Sequence, residues 1–279
     1  MSGLDNATTW QFHHQEQLKY RTTGSPTFRV KFYHYPSYRQ EVTLIQSPPD
    51  CKLQHKKLNS FFIFNRKVHS RGSISFDRVV QIKPLSQRIS LQDNWGEISE
   101  ISLEERQKYT ESSQYWPVQS SLMDEIVNNK WFLTENMQNW VKKASLCVLN
   151  TIKVRENQEE RLGAQRALIH GIGDCDEFTD LFITLARLRG IPSRRLTGFY
   201  VTEHGKSVEA HAWAEIYSPT LFWIPVDLAL NNIGFHKENY VILKIEEFNP
   251  SLPDYHVRTR HTSIVHHEWI RLPPQVTSI

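Results

Sequence analysis

The stretch GIGDCDEFTDLFITLARLRGIPSRR, residues 171–195, sets one cysteine between a pair of glycines and a strongly amphipathic run. Phe178, Leu181, Phe182, Leu185 and Leu188 recur at spacings of three and four, the period of a helix with one buried face. Asp174 stands where an N-cap belongs, and Glu177 three residues later completes a capping box. Gly190 followed by Ile191-Pro192 is a stop signal. The pattern predicts a helix over residues 176–189 with Cys175 at its start. A thiol there faces the positive end of the helix dipole and unsatisfied N–H groups, which favour a thiolate. The same N–H groups can later hold an oxyanion. Position alone does not separate a nucleophile from a small buried residue, because a nucleophile also needs a base.

Thirteen histidines compete for that role. His170 is near in sequence but precedes the glycine break, and His204 sits in EHGK, which reads as a hairpin tip. His211 lies inside the strand pattern HAWAEIY and shares one face with Trp213, Glu215 and Tyr217. The next strand, FWIPVD, ends at Asp227. A three-residue turn at Ser218-Pro219-Thr220 pairs Tyr217 with Leu221 and so sets His211 opposite Asp227 on the same face. Opposed Cβ atoms lie about 4.5–5.5 Å apart, within reach of an imidazole–carboxylate hydrogen bond. Pro225 inside the strand works against a regular ladder, since proline cannot donate to it. Taken alone, the pair reads equally as a cross-strand contact without chemistry. Beside Cys175 it supplies the base and the orienting carboxylate that a nucleophile requires.

The 279 residues allow roughly two domains. With 39% hydrophobic and 23% charged residues the chain reads as folded, and no apolar run reaches the ~18 residues of a membrane span. A net charge of +3 without basic runs argues against nucleic acid as a partner. Cys51, Cys147 and Cys175 are far apart and form no CxxC, which speaks against a disulfide framework and against a thiolate zinc site. No secretory signal opens the chain, so a reducing, cytoplasmic location is the expectation. No metal or cofactor is expected. The alternative of a metal bound by His256, His261, His266 and His267 is weak, because adjacent strand residues face opposite ways.

Residues from about Thr27 to Leu91 are rich in Val, Ile, Phe and Tyr and broken by YPS, SPPD and SRGS, which predicts a small all-β, sandwich-like domain. A polar linker with a short helix follows. Leu122, Ile126 and Val127 fit one helical face; Trp140, Val141, Ala144, Val148 and Ile152 mark a second helix, and a third runs from near Glu159 to Gly171. After Pro192 the period becomes that of strands: RRLTGFYVT, SVEAHAWAEIY, FWIPVD, NYVILKIEEF, then the Pro-rich connection NPSLPDYH and a closing HTSIVHHEWI. The expected fold class is α+β, with a β domain over residues 1–105 and a core of helices on an antiparallel sheet over 106–279, the last strand extending that core.

Gly-Asp-Cys175, the LFITLARLRGIPSRR run, His211-Ala-Trp213-Ala-Glu215 and Trp223-Ile-Pro225-Val-Asp227 together resemble the transglutaminase-like superfamily across residues 120–250. The resemblance implies a papain-like core with Cys175 as nucleophile, His211 as base and acid, and Asp227 as orienter. It implies that Arg194 braces the sheet against the helix. The backbone N–H of Cys175 would be one oxyanion donor. Trp140 lies where an upstream side-chain donor could stand, but its helical surroundings favour the core. Trp213 and Trp223 are expected as cleft walls. Fold and triad fix only the formation of a thioester acyl-enzyme. Water as acceptor makes a peptidase or amidase, the slightly favoured reading. A primary amine makes a transglutaminase or amide synthase, and a silent binding module is the remaining class. The expected partner is a peptide or protein substrate. The sequence leaves the oligomeric state open.

Overall fold

The structure, a computed structural model, describes residues 8–155, 160–202, 207–248, 255–260 and 264–279. It is α+β, as expected. The chain opens with β1 (Trp10–His14), β2 (Glu16–Thr22), β3 (Thr27–His34), β4 (Gln40–Gln46), β5 (Cys51–Lys56), β6 (Asn59–Lys67), β7 (Arg71–Ser75), β8 (Arg78–Pro84) and the short β9 (Gln87–Arg88). Burial alternates residue by residue along β1 and β8, the mark of sheets with one face on a core. Phe28, Val30, Phe32, Phe62, Phe64 and Phe76 fill the space between the packed sheets.

The helices follow: α1 (Leu103–Tyr109), α2 (Asp124–Val127), α3 (Met137–Thr151), the short β10 (Lys153–Val154), α4 (Gly163–His170), the short β11 (Ile172–Gly173) and α5 (Cys175–Leu188). Trp140, Val141, Ala144 and Val148 of α3 are buried against Phe178, Leu181, Phe182 and Leu185 of α5, as their spacing predicts. The third helix begins at Gly163, and it ends where Gly171 takes a φ of +63° that only glycine adopts freely. Glu159, the expected start, lies outside the described residues. The stretch from Ser121 gives only a 3-10 turn and the four-residue α2, with Leu122 exposed.

The sheet of the core is antiparallel: β12 (Ser193–Val201), β13 (Val208–Ser218), β14 (Phe222–Asp227), the short β15 (Asn232–Ile233) and β17 (Tyr240–Glu246), while the short β16 (Phe235–His236) pairs with β9 instead. Its order is β15-β14-β13-β12-β17. Helix α5 covers one face through Ala214 and Ile216. Trp213, Leu196, Tyr240 and Ile242 form a cluster on the other.

Two expectations are corrected. Strands begin at Trp10, earlier than Thr27, because WQFHH and EQLKYRT carry few β-branched residues to announce them. The last strands, β18 (Tyr255–Arg260), β19 (Ile264–Arg271) and β20 (Gln275–Ser278), do not extend the core. They pair with β3, β2 and β1 respectively, so the β module is built from both ends of the chain. Such pairing spans more than two hundred residues and leaves no local trace. Phe199, Val201, Val241 and Leu243 of the core sheet pack with Trp10, Phe12, Tyr35 and Val80 of this module.

Candidate active site

Cys175 is the first residue of α5. The Asp174 carboxylate accepts from the Asp176 N–H at 2.9 Å, and the Glu177 carboxylate accepts from the Asp174 N–H at 3.1 Å, closing the expected capping box. Caps of this kind contribute about 1 kcal/mol and fix where a helix starts. Glu177 also accepts from the Leu162 N–H at 2.7 Å, which ties the start of α4 to the start of α5. Burial pushes the Glu177 carboxyl up to about 7 against those two hydrogen bonds. The thiol of Cys175 is half-buried.

His211 and Asp227 meet as expected, through a different register. Tyr217 pairs with Trp223 and Ser218 with Phe222, so the turn is Pro219-Thr220-Leu221. The pairing is displaced by two residues, and Asp227 lies diagonal to His211 rather than opposite. A shift of two preserves the face, since side chains alternate with period two. The ring Nε2 and Asp227 Oδ2 are 2.7 Å apart. Asp227 Oδ2 also accepts from the Tyr240 hydroxyl at 2.8 Å, and Oδ1 from the Leu230 N–H at 3.1 Å. Asn232 in turn donates to the Tyr240 oxygen at 3.1 Å. Neither Tyr240 nor Asn232 carries a sequence signal of this role.

Cys175 stands beside the same imidazole, and the two line one groove. Burial alone would push His211 down. The hydrogen bond and charge of Asp227, together with the neighbouring Cys175, outweigh burial and raise the imidazole to about 10. The meeting depends on an open sheet edge. β13 pairs with β12 from Val208 to Ile216, but with β14 only from Ala214 to Ser218. The start of α5 occupies the edge so exposed, and the Thr179 hydroxyl donates to the Ala212 carbonyl at 3.2 Å. Gly198 pairs with His211, and a Cβ there would stand 1.9 Å from the Val241 carbonyl oxygen. Only glycine lets β17, and with it Tyr240, lie this close to β12.

The brace between sheet and helix expected of Arg194 is made by Arg195 instead. Arg194 donates to Glu215 at 2.8 Å on the neighbouring strand and to the Tyr38 hydroxyl at 2.6 Å, so it ties the sheet to the β module. Arg195 braces sheet to helix, reaching Asp176 and, at 3.3 Å, Asp180 of α5. Residues adjacent on a strand face opposite ways, so only one of the two can point at the helix.

A groove of about 770 Å³ opens beside Cys175 and His211. It lies on the helix-bearing face of the sheet, between the start of α5 and the β19–β20 connection. Trp213 and Trp223 are not its walls. Trp213 is buried on the opposite face, where it stacks on His211 with centroids 5.9 Å apart. Trp223 lies under the Arg194 guanidinium at 3.9 Å. Trp140 is fully buried in the helical core and takes no place at the groove.

Among the described residues, the grouping with metal-ligand spacing is Asp174, Cys175 and Asp176, whose ligand atoms lie within 4.8 Å of one another. Both carboxylates there are already engaged, one as a cap and one with Arg195. His256 lies on β18 and His266 and His267 on β19, in different sheets. His204 and His261 lie outside the described residues.

Residues 127–228 match the transglutaminase-like superfamily. No match is found among the curated proteins. Among solved structures, the chain is similar to a candidate cysteine protease from Cytophaga hutchinsonii, 17% identical, with a TM-score of 0.65 and 99% of each chain covered. That is a likeness of fold over the whole chain, the β module included. Also similar are the periplasmic domain of TgpA from Pseudomonas aeruginosa bound to ethylmercury (15% identity, TM-score 0.37, 75% of this chain and 91% of that one) and a candidate protease from Parabacteroides distasonis (11%, 0.29, 77% and 46%). These two scores are too low to bear on the fold.

Proposed function

The chain carries a transglutaminase-like domain over residues 127–228, and from that premise we propose that it is a cysteine-dependent acyl-transfer enzyme that hydrolyses amide or isopeptide bonds of peptide or protein substrates. One observation carries the reading. The imidazole of His211 is held by Asp227 on one nitrogen, and the thiol at the first residue of α5 stands beside the same ring in one groove.

In this reading the Cys175 sulfur attacks the carbonyl carbon and a C–S bond forms. The oxyanion develops beside the backbone N–H groups at the start of α5. His211 passes its proton to the leaving amine as the C–N bond breaks, leaving a thioester. Water then attacks with His211 taking its proton. A C–O bond forms, the C–S bond breaks, the carboxylic acid leaves, and thiolate and imidazolium are restored. Asp227, fixed by Tyr240 and the Leu230 N–H, holds the ring and its charge throughout.

Hydrolysis is favoured over amine transfer. Tryptophan walls that kept water from the thioester would favour an amine acceptor, and neither Trp213 nor Trp223 lines the groove. The test is incubation of wild type and Cys175→Ala with peptide amide libraries, with and without primary amines. Free acids that vanish in the variant support the reading. Amine adducts dominating at millimolar amine make the protein a transferase, and identical traces for the two proteins leave the binding module.

A further inference from the structure

We propose that Leu272-Pro273-Pro274, the connection between β19 and β20, forms an apolar subsite that selects an aliphatic or aromatic side chain beside the bond attacked by Cys175. The inference rests on the acyl-transfer reading. The segment belongs to the β module and lies well outside residues 127–228.

The groove has two chemically distinct ends. At one stand Arg161, Asp176, Arg195 and Glu246. Their charges are spent on each other and on the buried Asp180: Arg195 meets Asp176 and, at 3.2 Å, Glu246, and Arg161 meets Asp180 at 2.6 Å and Glu246 at 3.4 Å. A charged substrate group would have to break one of these pairs, which costs more than a new exposed pair returns. At the other end the sheet presents Phe199, Val208 and Leu243 and the β module presents Leu272, Pro273 and Pro274; the neighbouring lining cations Lys244 and Arg271 are paired with Glu246 and Glu16.

That wall is rigid as well as apolar. The Leu272 N–H donates to the Gln15 carbonyl at 3.2 Å. Arg271 donates to the buried Glu16 carboxylate at 3.1 Å, and Gln275 re-enters the ladder opposite His13. Two consecutive prolines fix φ between these anchors. Leu272 is nonetheless 51% exposed, an aliphatic side chain held open in a groove beside a nucleophile. The prolines offer no N–H, so the wall cannot donate to a substrate backbone and recognises side chains. Burying one aliphatic or aromatic residue there is worth about tenfold or more in binding.

The test uses the full chain and dipeptidyl acyloxymethyl ketones that differ only in one residue, placed first or second from the reactive carbon. Leucine and phenylalanine are compared with alanine, aspartate and lysine. The rate of Cys175 modification is read by mass spectrometry, with iodoacetamide as a reference that has no side chain to recognise. Wild type is expected to prefer the leucine and phenylalanine probes over aspartate and lysine by about tenfold or more at one of the two positions. Leu272→Asp is expected to erase most of that preference at an unchanged iodoacetamide rate and melting temperature. Leu272→Trp, which fills the groove without adding charge, is expected to slow the phenylalanine probe relative to alanine, and it carries the test if Leu272→Asp does not fold. No preference in wild type, or one unchanged by the variants while iodoacetamide still labels Cys175, overturns the subsite alone. An inert Cys175 overturns the acyl-transfer reading and the subsite with it.

Discussion

The hydroxyl of Thr179 donates to the carbonyl of Ala212, one turn beyond Cys175 on the helix and one residue beyond His211 on the strand. This bond ties α5 to β13 at the open edge, beside the two residues that carry the thiol and the imidazole. Thr179→Val keeps the shape and leaves the buried carbonyl unpaired, a loss of about 1–3 kcal/mol. The expected outcome is a lower melting temperature with Cys175 alkylation slowed several-fold, and rescue of both by Thr179→Ser. Alkylation at the wild-type rate in Thr179→Val would show that other contacts hold the pair.

The three thiols should separate sharply in reactivity. Burial pushes Cys51 up to about 12, and burial also raises Cys147. Cys175 alone stands at a helix start beside a histidine. Iodoacetamide near pH 6 is expected to modify Cys175 at least about tenfold faster than the other two in the folded protein. Peptide mapping after limited labelling reads the ratio, and equal labelling would remove the case for a nucleophile.

The raised His211 imidazole makes a prediction about stability. The folded ring holds its proton to about 10, against 6.5 in an unfolded chain. Between those values the folded state binds the extra proton, so the contribution of the charged pair is full below 6.5 and is lost as pH rises through 10. Urea unfolding of wild type and His211→Gln at pH 6, 8 and 10 is expected to show a difference that shrinks over this range. A difference that grows with pH would contradict a protonated His211 held by Asp227.

Tyr240 is expected to matter through Asp227. Its hydroxyl hydrogen-bonds the same carboxylate oxygen that holds the ring, and bonds to a charged acceptor contribute about 1.5–3 kcal/mol. Tyr240→Phe should therefore lower turnover of a peptide amide by about tenfold while KM changes little. Turnover equal to wild type would make the bond a structural one.

The most legible parts of this fold were those written locally. The spacing from Phe178 to Leu188 and the Asp174–Glu177 box predict α5 and its start, because both are properties of a few consecutive residues. The placement of His211 and Asp227 on one face survived a misplaced turn, because an error of two residues leaves parity unchanged. Trp213 was legible as a strand residue on the face of His211, but which face borders the groove depends on where α5 crosses the sheet. The choice between Arg194 and Arg195 turns on that same crossing. Tyr240 reaches Asp227 only because Gly198 admits β17 beside β12, and Leu272 reaches the groove only because β19 returns to β2. Each of these is a contact between segments far apart in sequence, where period and propensity say nothing.

The central claim is that Cys175 forms a thioester acyl-enzyme that water resolves. Intact-mass and peptide-mapping mass spectrometry of the protein quenched in acid during reaction with an activated peptide ester tests it directly. A single acyl adduct on Cys175, absent from Cys175→Ala, accumulating in His211→Gln and decaying in wild type as free acid appears, is the predicted result. An adduct on Cys51 or Cys147, or none that depends on Cys175, would contradict it.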